Sequence, residues 1–487
     1  MIRERETVLL IYFWRKQTGW WDSLENHEAP DRSGDVPLSL RSIGIVVLAV
    51  VIGAASACIV VPLLQLIGLI TNLTFYHHWD VTLVSPAKNT LGLTVVLVPV
   101  VGSLAVGLLA RYGSERIRGH GIPEALNATL TNESHIGPKV ALLKSVASAI
   151  AIGTGSPFGA GEPVMITGGA FGAIVAQCFH LTSTERRVLL AAGVAGGMAA
   201  IFHTPIAATL LAMELVLLEW KAQNLAPLAL ASVTATVVRS YLPVSGMDPG
   251  VLFTTPLHTP VWNAGVLFAC ILGGVLAGLL AALLTVAVYG CEHLFHKLPI
   301  HWMWWPVIGG AVIGLGGIIS PPVLGVGYDL IHQMLLGNVP LQMLVGLLIV
   351  KSIIWAISLS SGTSGGILAP LLLIGGALGG VEDLFLPHVF PGFWPLLSMT
   401  AVLGAATGCP FTCIIFAVEL THNFAASLPL VLVTLVAYVL VVLVMPHSIL
   451  PEKVNQRGLH IRVAYRLLRI EKRESEKRSP GIGNHRP

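Results

Sequence analysis

The sequence predicts an all-α protein that crosses a membrane many times, and three observations lead to this fold class. First, 54% of the 487 residues are hydrophobic and only 11% are charged, whereas soluble proteins carry roughly 25% charged residues. Second, apolar stretches such as 43–70 and 261–289 exceed the roughly 20 residues that a helix needs to span a bilayer. Third, two long segments of the chain resemble each other, which indicates an internal duplication.

The two ends of the chain are polar, and the C-terminal end is rich in lysine and arginine. Because positively charged segments next to membrane spans stay in the cytoplasm, we expect both ends there and an even number of crossings. The membrane is expected to be the plasma (inner) membrane of the cell. The C-terminal tail is shorter than the roughly 50 residues of a small domain, so no regulatory domain is expected after the last span.

The duplicated segments begin at Lys144 and Lys351 and align without a gap, at an offset of 207 residues (351 minus 144). Pro163 meets Pro370 in this alignment, and glycine pairs match as well. Repeats of this kind build many transporters, whose binding sites lie between the repeats near the bilayer midplane. The predicted organisation is an N-terminal cytoplasmic segment (1–40), a first membrane repeat (41–245), a connecting loop (246–261), a second membrane repeat (262–450) and a cytoplasmic tail (451–487).

Both repeats are interrupted by segments that are rich in glycine and proline and that precede possible helices. Such a helix start leaves several N–H groups unpaired and directed at one point, where the helix dipole adds positive potential. Anions bind at these ends, and proline suits the first turn because its missing N–H is not needed there. Irregular backbone at membrane depth is tolerated where it lines a watery cavity. The breaks therefore predict a site or pore for a small anion, with glycine-mediated helix packing as the alternative.

At these breaks the sequence resembles the CLC family of chloride channels and chloride/proton antiporters, in its bacterial form without C-terminal CBS domains. Three anion-site segments of that family read G-S-G-I-P, G-(K/R)-E-G-P and G-x-F-x-P. Their counterparts here are Gly119, His120, Gly121, Ile122 and Pro123; Gly159, Ala160, Gly161, Glu162 and Pro163; and Gly366, Ile367, Leu368, Ala369 and Pro370. The resemblance implies two inverted repeats of tilted, partly re-entrant helices. It also implies a homodimer with a separate chloride path in each subunit.

Several residues depart from the family pattern at these positions. The central serine is replaced by His120, whose imidazole can donate to an anion but also titrates near neutrality. Leu368 replaces the phenylalanine of G-x-F-x-P, and Leu450 stands where the family has its central tyrosine. Antiporters carry a second glutamate directly after the one that matches Glu214, and this chain has Leu215 there. The absence of that glutamate argues against strict exchange.

The carboxylate that the resemblance assigns as the gate is displaced by one residue. The gating glutamate of the family directly precedes Gly-Pro, whereas the order here is Gly161, Glu162, Pro163. One step along a helix turns a side chain by about 100°, although the backbone beside Gly161 can absorb part of that change. We predict that Glu162 is the gate, because no other carboxylate lies in the break. The alternative is that Glu162 only complements the dipole of its own helix.

Two pairs of charged residues occupy corresponding positions of the two repeats, at predicted membrane depth. Glu214 and Glu419 occupy corresponding positions at predicted helix ends of the two repeats, and we expect them to cap or contact helices. Lys144 and Lys351 begin the paired segments. They are expected to snorkel to the surface or to make a vestibule positive.

We expect passive or weakly proton-coupled chloride transport, with chloride/proton exchange as the alternative. The expected partners are chloride, protons in the exchange alternative, the lipid bilayer and a second copy of the chain. No cofactor and no metal is expected, and a net charge of +3 is too small to indicate nucleic acid. An intramembrane hydrolase with a pair such as Ser364 and His203 is a remote alternative. It is disfavoured because the serine lacks a nucleophile-elbow context.

Overall fold

A computed structural model of the chain describes residues 40–119, 137–179, 181–218, 220–246, 253 and 263–445. The chain divides into two units, Met1–Ile43 and Gly44–Pro487, of which the second holds the membrane region. The described residues are almost entirely helical, with one isolated β-bridge among them. The predicted all-α fold is therefore confirmed. Nearly all of the predicted N-terminal segment (1–40) and loop (246–261), and the whole tail (451–487), lie outside the described residues.

The first half of the chain forms a series of helices of unequal length. Their bounds are α1 Leu40–Thr71, α2 Leu97–Tyr112, α3 Pro138–Gly153, α4 Gly161–Gln177, α5 Ser183–Phe202, α6 Pro205–Leu211 and α7 Ala222–Ser240. Helices α4 and α5 pack backbone to backbone, because a Cβ on Gly193 would lie 2.6 Å from the carbonyl carbon of Gly168. Small residues serve this role in many membrane helices.

The second half of the chain forms a corresponding series of helices. Its helices are α8 Ala264–Lys297, α9 Trp305–Ile319, α10 Tyr328–Leu335, α11 Leu341–Gly346, α12 Ser352–Ser360, α13 Leu368–Glu382, α14 Phe393–Thr407, α15 Pro410–Thr421 and α16 Ser427–Val444. A π-helical turn, Leu347–Lys351, joins α11 to α12. The order of helices after each break is the same in both halves, since α4 to α7 correspond to α13 to α16.

Six helical stretches among the described residues are long and apolar enough to cross a membrane. Helices α13, α14 and α15 are apolar but shorter than the roughly 20 residues of a straight crossing. Many side chains that point outward are apolar, such as Val101 at 63% exposed and Phe268 at 71%. Helices α4, α5, α13 and α14 instead contribute many of the buried side chains of the core. The helices at the two breaks therefore lie inside the protein.

Candidate anion site

Helices α4 and α13 begin at corresponding positions of the two repeats, and their first residues meet. Ala160 is the N-cap of α4, and Ile367 is the N-cap of α13. The N–H of Gly159 donates to the carbonyl of Gly366 at 3.0 Å, and the N–H of Gly366 donates back at 3.1 Å. This two-residue bridge joins the N-termini of two helices, so the positive ends of two dipoles point into one region.

Glu162, the second residue of α4, reaches across to the other repeat. The side chain is 1% exposed, and its Oε1 atom accepts a hydrogen bond of 2.8 Å from the backbone N–H of Ile367. A carboxylate from one repeat thus occupies the helix N-terminus of the other, which is the kind of position where small anions bind. The side chain does more than complement the dipole of its own helix.

The break before α13 also contacts the first repeat at two further points. The N–H of Gly119 donates to the carbonyl of Gly362 at 3.2 Å, and the hydroxyl groups of Ser148 and Ser364 lie 2.8 Å apart. The start of the first family-like segment therefore reaches the break of the second repeat. The remaining predicted residues of that segment, and the predicted counterpart of the central tyrosine, lie outside the described residues. They are His120, Gly121, Ile122, Pro123 and Leu450.

The other predicted residues at the two helix starts pack around the bridge. Pro163 and Pro370 lie in the first turns of α4 and α13. Ala369 packs against Gly159, where a Cβ would lie 2.9 Å from the methyl carbon of the alanine. The glycine at this position therefore permits the close approach of the two breaks.

A small cavity lies beside the first residue of α13. Leu368 lines it together with Phe416 and with Leu215, which belongs to the π-helical turn after α6. The other lining residues are Met198, Leu211, Leu403, Thr407, Cys409, Thr412 and Cys413. Leu215 occupies the position of the second glutamate of antiporters. An apolar side chain therefore faces the cavity at this position.

The sequence did not single out Phe202, yet its ring accounts for the displaced carboxylate. A Cβ at Gly161 would lie 2.9 Å from the Cε2 atom of Phe202. The ring is held edge-on by Tyr328 and Phe416, at centroid distances of 6.4 and 5.1 Å. A side chain at position 161 would meet this ring, whereas position 162 leaves room for the carboxylate of Glu162.

Glu214 and Glu419 each cap a helix of the other repeat, which confirms the predicted capping role. The carboxylate of Glu419 accepts hydrogen bonds from the N–H groups of Ile206 and Ala207, at 3.0 and 2.7 Å. Glu214 accepts from the backbone N–H of Thr412 at 3.1 Å and from its hydroxyl at 2.5 Å. Helices α6 and α15 are therefore capped reciprocally.

The prediction that the two lysines snorkel to the surface is wrong. Lys144 is 1% exposed and Lys351 is fully buried. The ammonium of Lys351 donates to the carbonyls of Gly325 and Val326, at 3.0 and 3.5 Å. Because irregular backbone supplies acceptors inside the protein, the amine is satisfied without reaching water.

Ser364 and His203 do not form the pair that the hydrolase alternative requires. Ser364 bonds to Ser148, and neither ring nitrogen of His203 has a hydrogen-bond partner in the part of the chain that the structure describes. The fold and the site together indicate the class of protein. A buried carboxylate held at joined helix N-termini, inside a polytopic all-α protein, is the arrangement of an anion-transport protein.

Comparison with known proteins identifies the family. A family model described as "Voltage gated chloride channel" matches residues 101–442. The match covers more than half of the chain, so the protein belongs to this family of chloride channels and transporters. The predicted family and the prediction of chloride transport are thereby confirmed.

Solved structures share the fold. A slow cyanobacterial Cl⁻/H⁺ antiporter is 20% identical with a TM-score of 0.71, covering 85% of this chain and 97% of that one. A CLC-type fluoride/proton antiporter is 21% identical with a TM-score of 0.69, covering 84% and 97%. A eukaryotic CLC transporter is 18% identical with a TM-score of 0.68, covering 85% and 74%. The chain therefore has the CLC fold with its two inverted repeats, as predicted.

Proposed function

We propose that this protein is a passive or weakly proton-coupled chloride conductor gated by Glu162. The observation that carries the proposal is the 2.8 Å hydrogen bond from the N–H of Ile367 to the carboxylate. Chloride and the carboxylate are both anions that use helix-terminal N–H groups, so only one of them occupies the position at a time. Protonation removes the charge of the carboxylate and weakens its hold, which opens the path to chloride.

Weak coupling is supported by the residue that follows Glu214. Leu215 is 5% exposed and lines an apolar cavity next to α13. Proton transfer through that position requires a titratable side chain or ordered water, and leucine offers no proton-binding atom. The proton-coupled cycle therefore lacks a relay residue at this point.

Chloride/proton exchange is the second candidate. Two of the similar solved structures are described as a Cl⁻/H⁺ antiporter and a fluoride/proton antiporter. In this candidate Glu162 carries the proton itself, alternating with the anion, and water replaces the missing relay. Fluoride is therefore included as a test anion beside chloride.

The proposed transporter also has a defined oligomeric state and location. We propose a homodimer in the plasma membrane, with a separate path in each subunit and both termini cytoplasmic. Membership of the family and the basic tail support this proposal. In the first anion segment, we propose that Gly119, Gly121, Ile122 and Pro123 supply backbone contacts and that His120 lines the path. We also propose that Leu450, at the place of the central tyrosine of the family, belongs to the anion site.

The test is chloride efflux from liposomes that contain the purified protein, recorded over a range of external pH. In the native protein, efflux should rise several-fold as external pH falls, because acid protonates Glu162. Glu162→Gln removes the charge with little change in size. It should give fast efflux that no longer depends on external pH.

The matched control is Glu382→Gln. Glu382 is also buried, at 3% exposed, but it accepts a hydrogen bond from Ser398 at the far end of α13. This variant should keep the native pH response. A Glu162→Gln protein that retains the native pH response would place the gate elsewhere.

A further inference from the structure

Tyr328 is the first residue of α10 and follows a glycine-rich break. Its hydroxyl oxygen is buried, and the backbone N–H of Ala160, the N-cap of α4, points at this oxygen. The O–H itself has no acceptor among the groups that the structure describes. A buried phenol normally has a hydrogen-bond acceptor for its O–H. A free O–H donor beside a backbone N–H, at the positive end of a helix, therefore points to an anion that accepts from it.

The position of this hydroxyl is set by three attachments. The ring of Tyr328 meets the edge of Phe202 at a centroid distance of 6.4 Å and an interplanar angle of 87°. The N–H of Gly325 donates to the carbonyl of Gly155 at 2.9 Å, which ties the break to the loop that leads into α4. The ammonium of Lys351 holds the carbonyl of the same Gly325 at 3.0 Å. The hydroxyl is thus fixed before any anion arrives.

We propose that the hydroxyl of Tyr328 donates a hydrogen bond to the transported halide at the N-terminus of α4. This inference rests on the proposed function, since it assumes that the anion passes this site. Glu162 occupies the N–H of Ile367 on α13, and the adjoining N-terminus of α4 is the position that Tyr328 faces. Leucines stand at positions 368 and 450, so neither supplies an O–H donor. Tyr328 supplies one from a different element.

A purely structural role would not require tyrosine at position 328, because phenylalanine would fill it. The edge contact with Phe202 requires only the ring, which phenylalanine supplies equally well. A buried O–H without an acceptor lowers stability. Its removal should therefore leave the protein as stable as the native form or more stable, while anion binding becomes weaker. Stability and binding move in opposite directions only if the hydroxyl serves the anion.

The experiment uses Tyr328→Phe in the full chain, with Tyr241→Phe as the matched control because Tyr241 is 82% exposed. Chloride and fluoride binding to the purified proteins is measured by titration calorimetry, and thermal stability is measured on the same samples. Tyr328→Phe should weaken chloride binding about tenfold, the range expected for one hydrogen bond to a charged group. Its melting temperature should be no lower than that of the native protein. An unchanged dissociation constant for both anions would overturn the proposal.

A second measurement does not depend on removing the hydroxyl. Incorporating 3-fluorotyrosine at position 328 places a fluorine reporter next to the phenol oxygen. Its ¹⁹F resonance should shift saturably as chloride is added, whereas the same label at position 241 should not respond. A resonance at 328 that ignores chloride would also overturn the proposal.

Both measurements are repeated in the Glu162→Gln protein, where the carboxylate no longer competes with chloride. If Glu162→Gln keeps the native pH response but Tyr328→Phe still weakens binding, the gate assignment fails and Tyr328 remains a ligand. If Glu162→Gln removes the pH response but Tyr328→Phe binds chloride normally, the gate assignment stands and the role of Tyr328 fails. The two proposals are therefore tested separately.

Discussion

The space beside Gly161 is filled by the ring of Phe202, whose Cε2 atom would lie 2.9 Å from a Cβ at that position. The ring cannot swing away freely, because Phe416 packs against it at a centroid distance of 5.1 Å. A carboxylate at position 161 therefore conflicts with the local packing. Glu162 avoids the ring and reaches the N–H of Ile367 instead.

Exchanging the two residues, Gly161→Glu with Glu162→Gly, should therefore destabilise the protein rather than sharpen its gating. Overpacking of this kind costs typically about 1–3 kcal/mol in the free energy of unfolding. The check is the thermal unfolding temperature in detergent. Phe202→Ala opens space for the new side chain, so it should destabilise the exchanged protein less than it destabilises the native one. An exchanged protein with native stability would show that the ring moves aside freely.

His120→Ser restores the serine of the family motif in the first anion segment. Imidazole titrates near neutral pH and serine does not. The substitution should change the ratio of nitrate to chloride flux and should flatten its pH dependence near neutrality. Flux of both anions in liposomes provides the measurement. Identical selectivity and pH response in the two proteins would show that the side chain points away from the path.

The sequence was sufficient to predict that Glu162 lies at a helix start, because a lone carboxylate within a Gly/Pro break is a local pattern. Its role as the gate stays a prediction. Its partner Ile367 was predicted only as a member of a second motif. Phe202 and Tyr328 were not predicted as site residues. Phe202 lies beside Gly161 and Tyr328 beside Ala160. These partners are distant in sequence, and no periodicity predicts such contacts.

At the scale of helices, the breaks were good predictors of where α4 and α13 begin. Glycine weakens a helix and proline favours its first turn, so both signals are local. The repeat also placed Glu214 and Glu419 at corresponding helix ends. What it could not predict is that each glutamate caps a helix of the opposite repeat.

Removing one of these caps should destabilise the protein without altering its gate. Glu419→Ala leaves the N–H groups of Ile206 and Ala207 without their acceptor, and loss of a cap costs about 0.5–2 kcal/mol. The unfolding temperature in detergent should fall, while the external pH response of chloride flux should match the native one. The double variant with Glu214→Ala should show nearly additive losses, because the caps belong to different helices. If Glu419→Ala changed the pH response of chloride flux, Glu419 would take part in gating.

Over the whole molecule, the two repeats are held together by reciprocal contacts. The bridge between Gly159 and Gly366 joins the breaks, and the two glutamate caps join α6 and α15. The duplication is readable in the sequence because glycines, prolines and a lysine recur in the same order. Which breaks meet is a property of the folded topology, and the inverted arrangement was predicted only through the family resemblance.

The arrangement of the path also determines how anion and proton movement relate. Glu162 provides one titratable group at the joined N-termini, and Leu215 lines the apolar cavity beside α13. One protonation site opens and closes a path, but exchange at a fixed ratio also requires a route that delivers protons to it from the other side. Nothing in the side chain of Leu215 binds a proton. We therefore expect chloride to move down its gradient without driving protons uphill.

Recording chloride and proton flux together in liposomes checks this expectation. An outward chloride gradient should produce chloride efflux with a negligible proton signal when no other gradient is present. The response to an added protonophore separates the two candidates. Exchange moves protons inward before the protonophore is added, whereas passive chloride efflux moves protons only afterwards, and outward, because they then follow the membrane potential. Leu215→Glu places a carboxylate at the position of the missing relay and should increase proton movement if the cavity is the missing part of the route. Sustained uphill proton transport by the native protein at a constant ratio would establish exchange, with Glu162 as the proton carrier and water in place of the relay.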